Sequence, residues 1–320
     1  MEVIKSYKCF TTIQNYLLRI FRFAIALFFC YFIYNLYLCT SMNRFLYILC
    51  LFVFCSQVCL AKIDKKEYKQ ILKSTDNNAK YEFAIKCFNE EDYKKTITLL
   101  DEVSNAYKGT ERSENILYLL STSHFKRKEY IASAHHYQTY VNTYLRGSHY
   151  TECMFMLAYS YYHQSPEAEL DQTATVKAIE RFQIFIETFP YNEQTPRAKE
   201  LQAEMYEKLA LRDLKNAQLY YNLGNYRGNN YRAAVVSAQN ALNDYPNTSY
   251  KEDYSIIIVR AKYKEAINSV LEKLKERSED ALDECYYFLQ EYPETKHKKE
   301  VEKIATHLKR VLSQFEETED

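Results

Sequence analysis

Hydrophobic and polar positions divide the chain into two unequal parts. Two nearly continuous apolar runs, Phe23 to Cys39 and Phe45 to Val58, fill most of the first 61 residues. From about residue 68 onward, the apolar and polar positions instead have the pattern expected of paired helices. We therefore predict an apolar leader (residues 1–61) followed by an all-α body.

A short sequence phrase recurs in the body at the end of each helix pair. It consists of an aromatic residue, usually followed by Pro, and then Thr or Asn within the next two residues. An alanine stands twelve residues before each of the three prolines that follow an aromatic residue. In a tetratricopeptide (TPR) repeat, such an alanine lets the second helix pack closely on the first, and the proline ends the second helix. The full copies begin at Phe189, Tyr245 and Tyr292, degenerate copies begin at Tyr107 and Tyr144, and the alanines are Ala178, Ala234 and Ala281.

The first halves of the repeats agree with this interpretation. Asp92-Tyr93 and Glu129-Tyr130 lie 37 residues apart at predicted turns between helices, and polar loops interrupt the pairs at 163–173 and 224–230. A single helix hairpin cannot bury its apolar face, so stacked hairpins share one continuous core. We predict a TPR-like solenoid of about five repeats, closed by a capping helix from Lys298 to Glu316.

Composition narrows the class of protein. Only 4 Gly and 5 Pro occur in 320 residues, too few for a multi-stranded β-protein or for the glycine-rich loops of Rossmann and P-loop enzymes. The 42 basic and 42 acidic side chains cancel, so charge does not favour a nucleic acid partner. We therefore expect long helices joined by short turns and no nucleic acid partner.

The leader has the parts of a secretory signal. A short positive stretch at Met42-Asn43-Arg44 precedes the second apolar run, which ends in Cys59-Leu60-Ala61. We interpret Met42 as the start and 42–61 as a signal peptide; the alternative is a start at Met1 with a first membrane helix. Cys59 is a weak candidate for lipid attachment, because Ser56-Gln57-Val58 does not fit the lipoprotein pattern.

The sequence contains no recognisable set of catalytic residues, and we expect no enzyme activity, no cofactor and no metal site. His135 and His136 are adjacent and point about 100° apart on a helix, so they cannot both face one ion easily. Cys87, Cys153 and Cys285 are far apart in the body and have no metal spacing. Packed or solvated side chains explain all five.

The informative pattern is an aromatic stripe on the first helices of units one to three. Two rows lie seven residues apart, so both occupy one helix face, the face that lines the groove of a TPR array. Such a stripe suits an extended peptide with aromatic side chains, although part of it also fits core packing between units. The predicted groove residues are Tyr81, Tyr118 and Phe155 in one row and Phe88, Phe125 and Tyr162 in the other; Tyr159 and Asn89 are weaker candidates.

These residues together resemble a known family. Together with the five TPR units, five segments of the chain are similar to the BamD family of outer-membrane assembly lipoproteins. These segments are Glu67 to Asp76, Tyr81 to Lys86, Leu170 to Thr173, Ala217 to Gly224 and Ala238 to Pro246. The resemblance covers roughly residues 66–310.

The resemblance implies a scaffold without enzymatic activity on the periplasmic face of the outer membrane, anchored through a lipidated cysteine. Its partners would be BamA, other assembly subunits and unfolded β-barrel proteins. By this resemblance residues 62–190 (units one to three) would face the targeting strand of a client, and residues 191–320 (units four and five with the last helix) would dock BamA. A generic periplasmic TPR adaptor that binds another peptide is the alternative.

Overall fold

In a computed structural model, residues 65–316 are described and every regular element among them is an α-helix. The leader predictions, including the start at Met42, the signal peptide 42–61 and Cys59, lie outside the described residues. The helices are α1 Lys65–Lys73, α2 Asn77–Asn89, α3 Tyr93–Ser104, α4 Glu111–Lys126, α5 Tyr130–Thr143, α6 Tyr150–Gln164, α7 Thr173–Thr188, α8 Thr195–Leu223, α9 Asn230–Asp244, α10 Lys251–Ile267, α11 Leu271–Glu291 and α12 Lys298–Glu316.

Five successive hairpins and a final helix confirm the predicted TPR-like architecture. Units one to five are α2/α3, α4/α5, α6/α7, α8/α9 and α10/α11, and α12 packs on α11 at the end of the array. From α2 to α12, each helix contacts its neighbours in chain order, as expected of a solenoid. None of the helices between residues 65 and 316 has the length and apolar character needed to cross a bilayer.

The closing phrase ends the second helix of units three to five. In each of these units the last helical residue directly precedes the aromatic residue, whose backbone leaves the helical region before the proline, with ψ values of 62°, 65° and 69°. The three predicted alanines, Ala178, Ala234 and Ala281, are fully buried where the two helices of a hairpin meet. Units one and two have Thr96 and Ser133 at that place, also fully buried, and the Ser133 hydroxyl donates to the Ser121 carbonyl at 3.0 Å.

A carboxylate on the first helix fixes the turn that follows the second. Glu114 of α4 accepts from the Tyr140 hydroxyl at 2.7 Å and from the Ser148 backbone N–H at 2.8 Å. Glu207 holds Ser249 in the same way, with its carboxylate 2.7 Å from the hydroxyl. These bonds explain why a hydroxyl residue recurs in the closing phrase: it ties the end of a hairpin back to its own first helix.

The 29-residue helix α8 takes part in two apolar cores. Leu201 and Met205 in its first half belong to a cluster built mainly from α5, α6 and α7. Ala217 in its second half, with Leu214 beside it, belongs to a cluster shared with α9 and α10. A separate cluster joins α10, α11 and α12. The predicted division at residue 190 stays a prediction, and α8 continues the first core beyond it.

Candidate functional site

The first helices of neighbouring units lie side by side and exchange hydrogen bonds between residues 34 positions apart. The Asn115 side-chain amide donates to the Tyr81 hydroxyl at 2.8 Å, linking α4 to α2. The Tyr118 hydroxyl lies 3.1 Å from both carboxylate oxygens of Glu152, linking α4 to α6. These contacts form a continuous surface of α2, α4 and α6, called the A-helix face below.

An aromatic cluster centred on Tyr159 occupies the A-helix face between units two and three. The Tyr159 ring stacks on Phe125 at 5.6 Å, on Phe155 at 5.8 Å and on Tyr162 at 5.6 Å between centroids. The Tyr159 cluster is Phe125, Tyr130, Phe155, Tyr159, Tyr162 and His163. The structure thus brings together three of the six predicted groove residues and gives the central place to Tyr159, a weaker candidate.

The members of the Tyr159 cluster are buried from solvent to different extents. Phe155 is 7% exposed and packs below against Phe182 and Phe185 of α7, with ring centroids 6.0 and 5.5 Å away. Phe125 and Tyr162 are half-buried and each keeps part of its ring in solvent. The cluster therefore has a core layer and an accessible layer that offers ring surface to a ligand.

Tyr162 fixes the cluster to the next unit through its hydroxyl. That hydroxyl donates to the Glu204 carboxylate of α8 at 2.7 Å. The hydrogen bond to the carboxylate, together with burial, raises the pKa of Tyr162 to about 12. The hydroxyl is thus a protonated donor at neutral pH and holds the ring in one orientation.

Tyr118 lies outside the Tyr159 cluster in a pairing of its own. Its ring stacks on the His149 imidazole, with 3.8 Å between centroids and 10° between planes. Burial, and then the adjacent Glu152 carboxylate, raises the pKa of Tyr118. The pKa of Glu152 is held below its usual value by His149 and by the Tyr118 hydroxyl, against the effect of burial. Tyr118 joins two units and leaves only part of its ring exposed.

The two predicted residues of unit one are separate from the Tyr159 cluster. Tyr81 is 6% exposed and lies beneath the Arg112 guanidinium, 4.8 Å from its ring centroid. Phe88 is half-buried and packs edge-on against Tyr93 at 5.8 Å. Unit one therefore adds a buried contact and one further accessible ring to the A-helix face.

Sequence reasoning did not identify Tyr130 and His163 as members of the cluster. Their rings stack at 4.7 Å with 10° between planes, across the interface between α5 and α6. Only their positions in the sequence could have pointed to these two residues. His163 directly follows Tyr162, and Tyr130 is the first residue of the second helix of unit two, at the predicted turn. Neither position shows by itself that the two rings meet, because that depends on how the units stack.

His136, one of the two adjacent histidines considered as metal ligands, has ring contacts with His124 and His135. His136 stacks on His124 at 5.1 Å, and His124 Nδ1 lies 2.7 Å from the Glu129 carboxylate. Burial, and then the neighbouring His124 and His135, lowers the pKa of His136 to about 4. Within residues 65–316 no group of three or more His, Cys, Asp or Glu side chains is arranged to hold a metal ion.

Comparison with known proteins identifies the family. No curated protein matches the chain significantly. A family model described as outer membrane lipoprotein, YfiO, matches residues 73–273, from the end of α1 to the start of α11. This match includes all of units one to four and the whole Tyr159 cluster. The helical array, its closing phrases and this match together show that the chain belongs to the YfiO (BamD) family of outer membrane lipoproteins.

Proposed function

We propose that the chain captures the C-terminal targeting strand of unfolded outer-membrane β-barrel proteins on the A-helix face and docks BamA through units four and five. Family membership associates the chain with the outer membrane and with assembly there. The strand, BamA, the periplasmic face and a lipid anchor at Cys59 are the finer parts of the proposal. No covalent step is involved.

The accessible layer of the Tyr159 cluster is the observation that carries strand capture. Phe125 and Tyr162 are half-buried and each stacks on the Tyr159 ring, and the buried Phe155 stacks on the same ring. Preorganised aromatic rings bind apolar and aromatic side chains with little loss of conformational entropy on binding. An extended strand places alternate side chains on one side, so its aromatic residues can reach successive rings.

Strand capture is tested with a fluorescent peptide that carries the C-terminal strand of a barrel protein. The double variant Tyr118→Ala/Phe125→Ala is expected to weaken binding at least ten-fold, since stacked aromatic contacts are each worth about 1 kcal/mol beyond burial. Tyr191→Ala is the matched control, because Tyr191 is 99% exposed and outside the cluster. Unchanged affinity in the double variant, with its helix content intact, refutes the assignment of the groove.

Docking through units four and five is supported by exposed apolar side chains there. Leu219 and Leu223 lie one turn apart on α8 and are 55% and 39% exposed, and Tyr287 of α11 is 60% exposed. Exposed apolar side chains that group on a surface mark sites of protein contact. We expect Leu219→Ser/Leu223→Ser or Tyr287→Ser to reduce recovery of BamA with the tagged chain while leaving strand binding unchanged.

If all of these variants still recover BamA with the tagged chain, the proposed division of roles between the two halves is contradicted. Binding of the peptide without any recovery of BamA from cells would favour a periplasmic adaptor with another partner. Mass spectrometry of the mature N-terminus tests the anchor separately: a triacylated Cys59 supports it, and an unmodified start at Lys62 contradicts it.

A further inference from the structure

A second concave site lies on the other side of α6 from the Tyr159 cluster. It is a cleft of about 340 Å³ between α5, α6 and α7. Its floor includes Met154 and Leu157, which lie roughly 150° around the axis of α6 from Phe155 and Tyr159, at about 100° per residue. The cleft is therefore separate from the A-helix face.

The walls of the cleft are apolar and partly open to solvent. Met154 and Leu157 are 9% and 2% exposed, whereas Leu145 and Ile184 at the rim are 66% and 40% exposed. A rim of large exposed aliphatic side chains above a dry floor favours an apolar ligand group. The volume is at the lower end of the range of about 300–1,000 Å³ for ligand pockets, enough for one large side chain or a medium alkyl chain.

The lining of the cleft includes three polar side chains, Asn142, Tyr150 and Arg181, and each carries a hydrogen-bond donor. Arg181 of α7 is half-buried, and its side chain has neither an ion pair nor a hydrogen bond with any other described residue. Asn142 of α5 accepts from the Gln138 amide through Oδ1 at 2.9 Å, which leaves its own amide nitrogen to donate. The described lining includes no Asp or Glu that would compete for these donors.

We propose that the cleft binds an apolar monocarboxylate, with the apolar group on Met154 and Leu157 and the carboxylate at Arg181 and Asn142. A guanidinium binds a carboxylate by two parallel hydrogen bonds, and an amide donor beside it completes the shell. One cation matches one negative charge, so a ligand with a single carboxylate is favoured over a phosphate monoester. A free alkyl carboxylate and the apolar C-terminal residue of a polypeptide both have this chemistry.

The test uses three probes with the full chain: decanoate, an acetylated tetrapeptide ending in Phe with a free carboxylate, and the same peptide as its C-terminal amide. Calorimetric titration is expected to show binding of at least one free acid and about ten-fold weaker binding of the amide, since the amide has no charged acceptor. Binding of decanoate alone identifies a free carboxylate as the ligand, and binding of the peptide acid alone identifies a chain terminus.

Arg181→Gln is expected to weaken binding of the free acid about ten-fold, as removal of a charge-assisted hydrogen bond does. Lys177→Gln is the matched control, because it removes the same charge from α7 one turn away, where Lys177 lies over the Tyr161 ring. Ile184→Trp fills the rim and is expected to abolish binding. Thermal unfolding of each variant confirms that the fold is retained.

Three results would overturn the proposal. The first is no binding of either free acid, and the second is equal affinity for the peptide acid and its amide. The third is an equal effect of Arg181→Gln and Lys177→Gln, which would mean attraction to general positive charge. Decanoate has no aromatic group for the A-helix face, so Phe125→Ala should leave the affinity for decanoate unchanged if the two sites are separate.

Discussion

The Phe125 ring of unit two stacks on the Tyr159 ring of unit three, with centroids 5.6 Å apart and 29° between planes. The same contact joins two repeats and forms the centre of the accessible aromatic surface. Stability and the strand capture that we propose therefore depend on one set of rings. A substitution there changes both, so each variant needs a measurement of unfolding as well as one of binding.

Tyr159→Ala is expected to lower the free energy of unfolding by about 3 kcal/mol, because it removes a ring that stacks on Phe125, Phe155 and Tyr162. Tyr159→Phe keeps the ring and should cost less than about 1 kcal/mol. Urea unfolding followed by circular dichroism measures both. Equal losses in the two variants would contradict a role for ring stacking.

Gly147→Ala is expected to destabilise the protein by about 1–3 kcal/mol through overpacking. A Cβ at residue 147 would lie 2.5 Å from the Tyr140 hydroxyl and 2.9 Å from the Glu114 carboxylate, which are hydrogen-bonded to each other. Tyr140→Phe removes the hydroxyl that the new methyl group meets. The cost of Gly147→Ala should therefore be smaller in a Tyr140→Phe background, and a double-mutant cycle gives the difference.

Lys128→Gly is expected to stabilise the protein by about 1 kcal/mol, because a left-handed backbone is costly for residues with a side chain. Lys128 follows the end of α4 with a φ of 63°. Lys126→Gly, inside the last turn of the same helix, should instead destabilise by about 1 kcal/mol. The two thermal midpoints are expected to move in opposite directions; a fall for Lys128→Gly would contradict this account.

Acid is expected to destabilise the protein partly through His136. Its pKa falls from 6.5 to about 4 on folding, so the unfolded state binds a proton first. Stability from this group is complete above about pH 6.5 and is lost as the pH falls towards 4, by about 3 kcal/mol for the full shift and by less because the ring is partly exposed to solvent. His136→Gln should make the free energy of unfolding flatter between pH 7 and 4, as followed by urea titration at each pH.

Much of the fold was predictable because its signals are local. A proline after an aromatic residue stops a helix wherever it occurs, and Ala178, Ala234 and Ala281 mark close helix pairs by size alone. The capping helix was predicted with its observed bounds, Lys298–Glu316. The length of α8 was not predicted, because its continuity depends on two cores that form on either side of it.

The candidate site was only partly predictable. Spacing along one helix placed Phe155 and Tyr162 on a common face, and the structure brings Phe125 to the same cluster. The spacing of residues along a helix does not show how deeply each one is buried, so only the structure shows that Tyr81 and Phe155 are buried. The unpaired Arg181 has no sequence signal at all, since whether an arginine finds a partner is decided by neighbouring helices.

The continuity of α8 bears on how the array unfolds. In a repeat array whose units meet only at their interfaces, segments can open one at a time and their backbone amides exchange with solvent independently. Here about 43 Å of unbroken helix is anchored by side chains in both adjoining cores. Amides near the middle of α8 should exchange only when both cores open, so we expect them to be the slowest to exchange among residues 65–316.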